Sequence, residues 1–174
     1  MKRFHVLTKL IRDNDFTSMV EVGVADGRTS RFILDNIKDP GFKIYCVDPY
    51  EVYEGYEGSH HGSSQDLQDA YEHANKNVFS KDRCKFYKLC SGEAVKFFDA
   101  GSIDLVFIDG NHYYEWVKED IEYWYPIVRE GGVLSGHDYA RKYGWGVKKA
   151  VNEFVEEKGL ELFVAKDNVW YINK

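Results

Sequence analysis

Five short, nearly continuous apolar runs, Met19–Val24, Lys43–Val47, Phe86–Cys90, Ile103–Ile108 and Gly132–Ser135, constrain this chain more than any other feature. A strand that is apolar on both faces must be covered on both, which is the condition of a parallel sheet between two helical layers. The stretches between the runs carry helical spacing. It is clearest after Tyr114, where Val117, Ile121, Trp124 or Tyr125, and Val128 share one face and Gly131-Gly132 ends the element. A second helix carries Val147, Val151, Phe154 and Val155 and stops at Gly159. Two β-rich runs follow, Leu160–Ala165 and Val169–Ile172, with Lys166-Asp167-Asn168 as the hairpin turn between them. Five βα units closed by a hairpin predict an α/β fold: a doubly wound, mostly parallel sheet of seven strands with an antiparallel C-terminal hairpin strand.

The chain has 174 residues, 44% hydrophobic and 30% charged, enough for a real core and expected to form one domain over 1–174. Residues 1–18 read as a short N-terminal helical segment with Phe4, Val6, Leu7, Leu10 and Ile11 on its apolar side. Such a short segment is expected to leave a ligand site open, or completed by a second subunit in a homo-oligomer. No run approaches the ~20 apolar residues of a membrane span, so a soluble, cytoplasmic protein without a membrane partner is expected. A net charge of -6 and a pI near 5.5 disfavour a nucleic-acid partner and favour a small-molecule or neutral polymer substrate. Cys46, Cys84 and Cys90 lack the close spacing of a disulfide framework or zinc site; Cys46 and Cys90, inside apolar runs, read as buried reduced thiols.

Ligands of open α/β sheets bind outside the carboxyl ends of the strands, so the residues after each run matter most. After the first comes Glu21-Val22-Gly23-Val24-Ala25-Asp26-Gly27, where Gly23 permits a tight turn clear of a ligand and Gly27 an entry into the next helix. The spacing is not the Gly-x-Gly-x-x-Gly of a dinucleotide site, which disfavours an NAD oxidoreductase. Asp48, about twenty residues on, stands where a carboxylate accepts both ribose hydroxyls of a nucleoside or simply caps a turn. Ser91 opens a helix after the third run and either faces an adenine edge or caps that helix. The fourth and fifth runs deliver Asp109, His112, His137 and Asp138 to one edge, a concentration of charge that requires solvent, pairing or a cation. The segment 49–64, rich in Gly, Ser, Tyr and His, is too long for an ordinary βα loop and reads as a lid or substrate loop. Its Tyr50, Tyr53 and Tyr56 line a ligand pocket or form a hydrophobic clasp on the sheet edge; His60 and His61 read as solvated.

The loop from Glu21 to Gly27, the Ile-Asp-Gly-Asn-His-Tyr-Tyr segment from Ile108 and Gly-Gly-Val-Leu-Ser-Gly-His-Asp-Tyr from Gly131 together resemble the class I S-adenosylmethionine (SAM) dependent methyltransferases. The likeness is strongest to their small-molecule O-methyltransferase branch, the macrocin and catechol types, whose fold is Rossmann-like. It implies that Glu21, Gly23 and Gly27 form the SAM loop with Glu21 and Gly23 beside the methionine part, that Asp48 takes the ribose, and that Ser91 lies near adenine. Asp109 counts with this cofactor site as well. It also implies a divalent cation, magnesium or manganese, on Asp109, His137 and Asp138. Histidine is a softer ligand than magnesium favours, so His137 is a ligand to manganese or iron, a base, or an orienting residue for Asp138. His112, three residues after Asp109 where catechol-type relatives carry lysine, is the candidate base for a hydroxylated small-molecule acceptor, or else a supporting residue behind the ligands. A relative with a different, hydroxylase-like reaction and a non-catalytic interaction module are the competing readings; an intact loop and ribose acid speak against the latter.

Overall fold

The computed structural model describes residues 2–52, 63–140 and 146–174. Seven strands form one sheet: β1 (Ser18–Val22), β2 (Lys43–Val47), β3 (Cys84–Tyr87), β4 (Ile103–Ile108), β5 (Val128–Gly136), β6 (Leu162–Val164) and β7 (Trp170–Asn173). Their order is β3-β2-β1-β4-β5-β7-β6, with every pairing from β3 to β5 parallel and β7 antiparallel to both its neighbours. The doubly wound sheet with a C-terminal hairpin is therefore as the apolar runs predict. Strand order reverses at β1 and β4, so the loops after these two strands diverge and leave a crevice between them.

The helices are α1 (Arg3–Asp13), α2 (Arg28–Asn36), α3 (Ser64–Ala74), the short α4 (Ser91–Ala94), α5 (Tyr114–Trp124) and α6 (Val147–Lys158). Alternate strand residues point to opposite layers. Val20, Val106 and Leu134 pack with Val117, Ile121 and Trp124 of α5 and Val151 of α6. Met19, Leu105 and Phe107 pack on the other face with Leu7 and Ile11 of α1 and Ile33 and Leu34 of α2. Among the described residues, no helix is long and apolar enough to cross a membrane.

Three details depart from the sequence reading. Val128 is the first residue of β5 rather than the last turn of α5, and Gly131-Gly132 lies inside that strand rather than ending the helix, because the helix ends at Trp124 just before Pro126, whose ring removes a donor and clashes with a continuing helix. Cys90 is exposed at the start of α4, since β3 ends at Tyr87 and its apolar run continues into a loop. Cys84 lies on β3 beside β2, with its Sγ 3.7 Å from that of buried Cys46; both are free thiols, and their proximity comes from strand pairing that sequence separation conceals. The α6 stop at Gly159 is as expected, with φ +64° supplying the left-handed C-cap.

Candidate functional site

The loop after β1 is built by close backbone approach. Gly23 N donates to Val47 O, and Asp109 N to Val22 O, so the ends of β1, β2 and β4 are tied together. Gly23 adopts φ +85°, and a Cβ there would sit 2.5 Å from Asp109 O and from Gly110 N and Cα, all backbone atoms. Glycine is thus required by the passage of the β4 loop as well as by backbone conformation. Gly27, at φ +76°, begins α2.

Asp48 holds this loop from the end of β2. Its Oδ2 accepts from Val24 N at 2.8 Å and Ala25 N at 3.1 Å, and its Oδ1 from Tyr50 N at 2.9 Å. Tyr50 closes the same turn by donating its hydroxyl to Ala25 O at 2.5 Å. Its ring is buried against Tyr71, Phe79 and Phe86, so Tyr50 is the clasp of the two alternatives. Tyr53, Tyr56, His60 and His61 lie outside the described residues. The Ser91 hydroxyl accepts from Trp124 Nε1 at 2.7 Å and donates to the buried Asp120, which fastens α4 to α5. Burial is the main reason the Asp120 carboxyl is pushed up to about 7, with the Ser91 hydrogen bond working in the opposite direction.

Glu21 ends up behind the loop rather than on its surface. It is 1% exposed and accepts a hydrogen bond from Ser30 Oγ on α2. Desolvation raises its pKa to about 8; Asp109 reinforces that rise, while Ser30 and Arg3 oppose it.

The acid and histidine cluster forms where β4 and β5 end. His137 N donates to Ile108 O, which sets His137 and Asp138 directly beside Asp109. His137 Nδ1 is 3.5 Å from Asp109 Oδ1 and 3.1 Å from Asp138 Oδ1. His112 Nε2 is 3.0 Å from Asp138 Oδ2 and 3.9 Å from Asp109 Oδ1. Burial disfavours both imidazolium ions, but the two carboxylates outweigh it and push each histidine up to about 9. Asp138 is buried and Asp109 largely shielded from solvent, which works against their charge, yet their histidine partners hold both below the usual carboxylate range. The two carboxylates and the two histidines on which they hold a proton thus balance one another in charge.

One ligand atom from each of Asp109, His137 and Asp138 lies within 4.8 Å of the others. The Nε2 atoms of His112 and His137 are buried without a well-directed hydrogen bond. In the cluster the ligand atoms a cation would take are His137 Nδ1 and the Asp109 and Asp138 oxygens it approaches, whereas His137 Nε2 lies toward Asp167. The residues fit a divalent ion with mixed nitrogen and oxygen preference. A cleft beside them is lined by Ile108, His112, Val117, His137, Val147 and Trp170.

Two residues of this site carried no signal in the sequence. Arg3, at the start of α1, places Nε 3.2 Å from Asp109 Oδ2 and 3.1 Å from Thr29 Oγ1. Asp167, in the β6–β7 turn at φ +61°, accepts from Arg3 N at 2.8 Å and approaches His137 Nε2 to 3.7 Å. Only the fold brings Arg3 to Asp109 and Asp167 to Arg3 and His137.

A doubly wound sheet of this order, with a glycine loop after β1, an acid after β2 and acids after β4 and β5, defines a class I SAM-dependent methyltransferase domain. The chain belongs to the family described as "Methyltransferase domain", whose model matches residues 20–139. It is 27% identical over 161 residues to uncharacterized protein R132 of Acanthamoeba polyphaga mimivirus, spanning 88% of this chain and 67% of that protein. Its fold is similar to the O-methyltransferase NovP, with a TM-score of 0.71 at 16% identity over 98% of this chain and 77% of NovP. It is also similar to the Bacillus cereus O-methyltransferase in complex with S-adenosylhomocysteine, with a TM-score of 0.62 at 16% identity over 99% and 80% of the two chains.

Proposed function

We propose that this protein transfers the methyl group of SAM to a hydroxyl of a small-molecule acceptor, assisted by a divalent cation on Asp109, His137 and Asp138. The observation that carries the reading is the convergence of these three side chains, within 4.8 Å, next to the loop that begins at Gly23. The O-methyltransferases of similar fold support the choice of oxygen as nucleophile.

SAM supplies a methyl group already activated by its sulfonium, so the protein has mainly to align the acceptor oxygen behind it. In this reading Gly23 and Gly27 shape the cofactor loop, Asp48 takes the ribose while keeping the loop closed, and the start of α4 at Ser91 flanks adenine. The Ser91 hydroxyl is already committed to Trp124 and Asp120, so backbone amides are what α4 offers. Asp109, His137 and Asp138 would hold a divalent cation, manganese or iron(II) in preference to magnesium, which would lower the pKa of the acceptor hydroxyl and take over from the imidazolium protons as the positive charge facing Asp109 and Asp138. His112 accepts the hydroxyl proton at Nε2. Since His112 keeps its own proton up to about pH 9 in the cation-free cluster, acceptance at neutral pH requires that charge replacement.

The test is methyl transfer from labelled SAM to a panel of phenols and sugars, with and without a chelator. Transfer to a hydroxyl that stops on chelation and returns with manganese is expected. Transfer insensitive to the chelator removes the cation, and transfer confined to amines or carbon acids removes the hydroxyl acceptor.

A further inference from the structure

Arg3 is the charged group at this site that the proposed reaction leaves unused. It contacts the β4 acid through Nε, 3.2 Å from Asp109 Oδ2, and the same nitrogen donates to Thr29 Oγ1 in the first turn of α2. Its Nη1 and Nη2 donate no hydrogen bond among the described residues, and its side chain is 34% exposed. Its backbone is held as well, because Arg3 N donates to Asp167 Oδ2 at 2.8 Å. The guanidinium is therefore anchored at its base with its planar fork left over.

The two oxygens of Asp109 face different neighbours. Oδ1 is directed to the histidines, 3.5 Å from His137 Nδ1, whereas Oδ2 is directed to Arg3. The second oxygen thus belongs to the glycine-loop side of the site. An Arg–Asp pair is complementary to an amino acid zwitterion, with the guanidinium matching a carboxylate bidentately and the carboxylate matching an ammonium. The alternative cation near the loop, Arg28, is paired with Asp26 at 2.8 Å on the exposed side. Without Arg3, a ligand carboxylate at this position would face the Asp109 carboxylate.

We propose that Arg3 is a specificity residue for the amino acid end of SAM: its Nη nitrogens bind the ligand α-carboxylate while Asp109 Oδ2 accepts from the α-ammonium. Binding adds two ion pairs to the ligand while Nε keeps its contact with Asp109 Oδ2, and Asp109 Oδ1 stays with the histidine cluster. This rests on the assignment of SAM as the methyl donor.

Calorimetric titration compares S-adenosylhomocysteine, which carries the zwitterion, with 5′-methylthioadenosine, which lacks it. For Arg3→Gln, affinity for S-adenosylhomocysteine falls about 10- to 100-fold, the size expected for a lost charge-assisted contact, while affinity for 5′-methylthioadenosine stays within about twofold. Arg3→Lys recovers part of the loss. Equal losses for both ligands make Arg3 a purely structural anchor of α1 and overturn the proposal, as does wild-type affinity of Arg3→Gln for S-adenosylhomocysteine. Retained 5′-methylthioadenosine binding also shows that the variant is folded. Wild-type protein that binds neither ligand defeats the SAM assignment itself, a result distinct from either of those.

Discussion

Replacing Glu21 by glutamine is expected to make the protein more stable at neutral pH. The carboxyl is 1% exposed, and its pKa rises from an ordinary value of 4.5 to about 8, chiefly through desolvation. Below about pH 4.5 the folded and unfolded chains both hold the proton, and burial costs nothing in ionisation. Between 4.5 and 8 the folded chain keeps a proton that the unfolded chain releases, so stability falls by about 1.4 kcal/mol per pH unit. Above about 8 the loss levels off. At pH 7 the accumulated penalty is about 3 kcal/mol. Glutamine keeps the shape and the oxygen that accepts from Ser30, and avoids this penalty. Its extra amide hydrogen must find a partner among buried groups, which takes back on the order of 1 kcal/mol. The net gain is about 2 kcal/mol at pH 7, or roughly 4–8 °C in Tm for a domain of this size. Urea and thermal unfolding of both proteins from pH 4.5 to 8.5 measure it. A difference that does not change with pH, or a variant less stable than wild type at pH 8, would refute a Glu21 buried in its neutral form.

Asp138→Ala should lower manganese affinity by at least about tenfold while leaving S-adenosylhomocysteine binding nearly unchanged, whereas Asp109→Ala should weaken both; calorimetry with each ligand separates the two carboxylates. Gly23→Ala places a Cβ 2.5 Å from the Asp109–Gly110 backbone at φ +85°, and a stability loss of about 2–4 kcal/mol is expected by denaturant titration. A variant that melts like wild type would mean the β4 loop can retreat. Tyr50→Phe removes the hydroxyl donated to Ala25 O and should cost about 1 kcal/mol together with several-fold in S-adenosylhomocysteine affinity. Unchanged affinity would free the loop from dependence on Tyr50.

Much of this protein is determined by its sequence alone, because the signals are local. Near-continuous apolarity at Ile103–Ile108 demands cover on both faces, and the structure buries every residue of that strand. Gly23 and Gly27 mark positive φ, and Lys166-Asp167-Asn168 marks the final hairpin, since each concerns the conformation of a few consecutive residues. Placing Asp109, His137 and Asp138 together needed only the rule that ligands collect at the carboxyl ends of strands. Tertiary structure decided what depends on distant chain segments. Val128 continues a helical period yet pairs in β5, because the partner strand and Pro126 outweigh local spacing. The Glu21 carboxyl is held neutral only because the packing of α2 on the sheet takes it out of water, against the opposing hydrogen bond from Ser30. Arg3 reaches Asp109, and Asp167 meets Arg3 across 164 residues, through packing of α1 against the last turn. Such contacts leave no periodicity or turn chemistry behind: an ion pair is set by where two segments meet, and that meeting exists only once the sheet has ordered its strands.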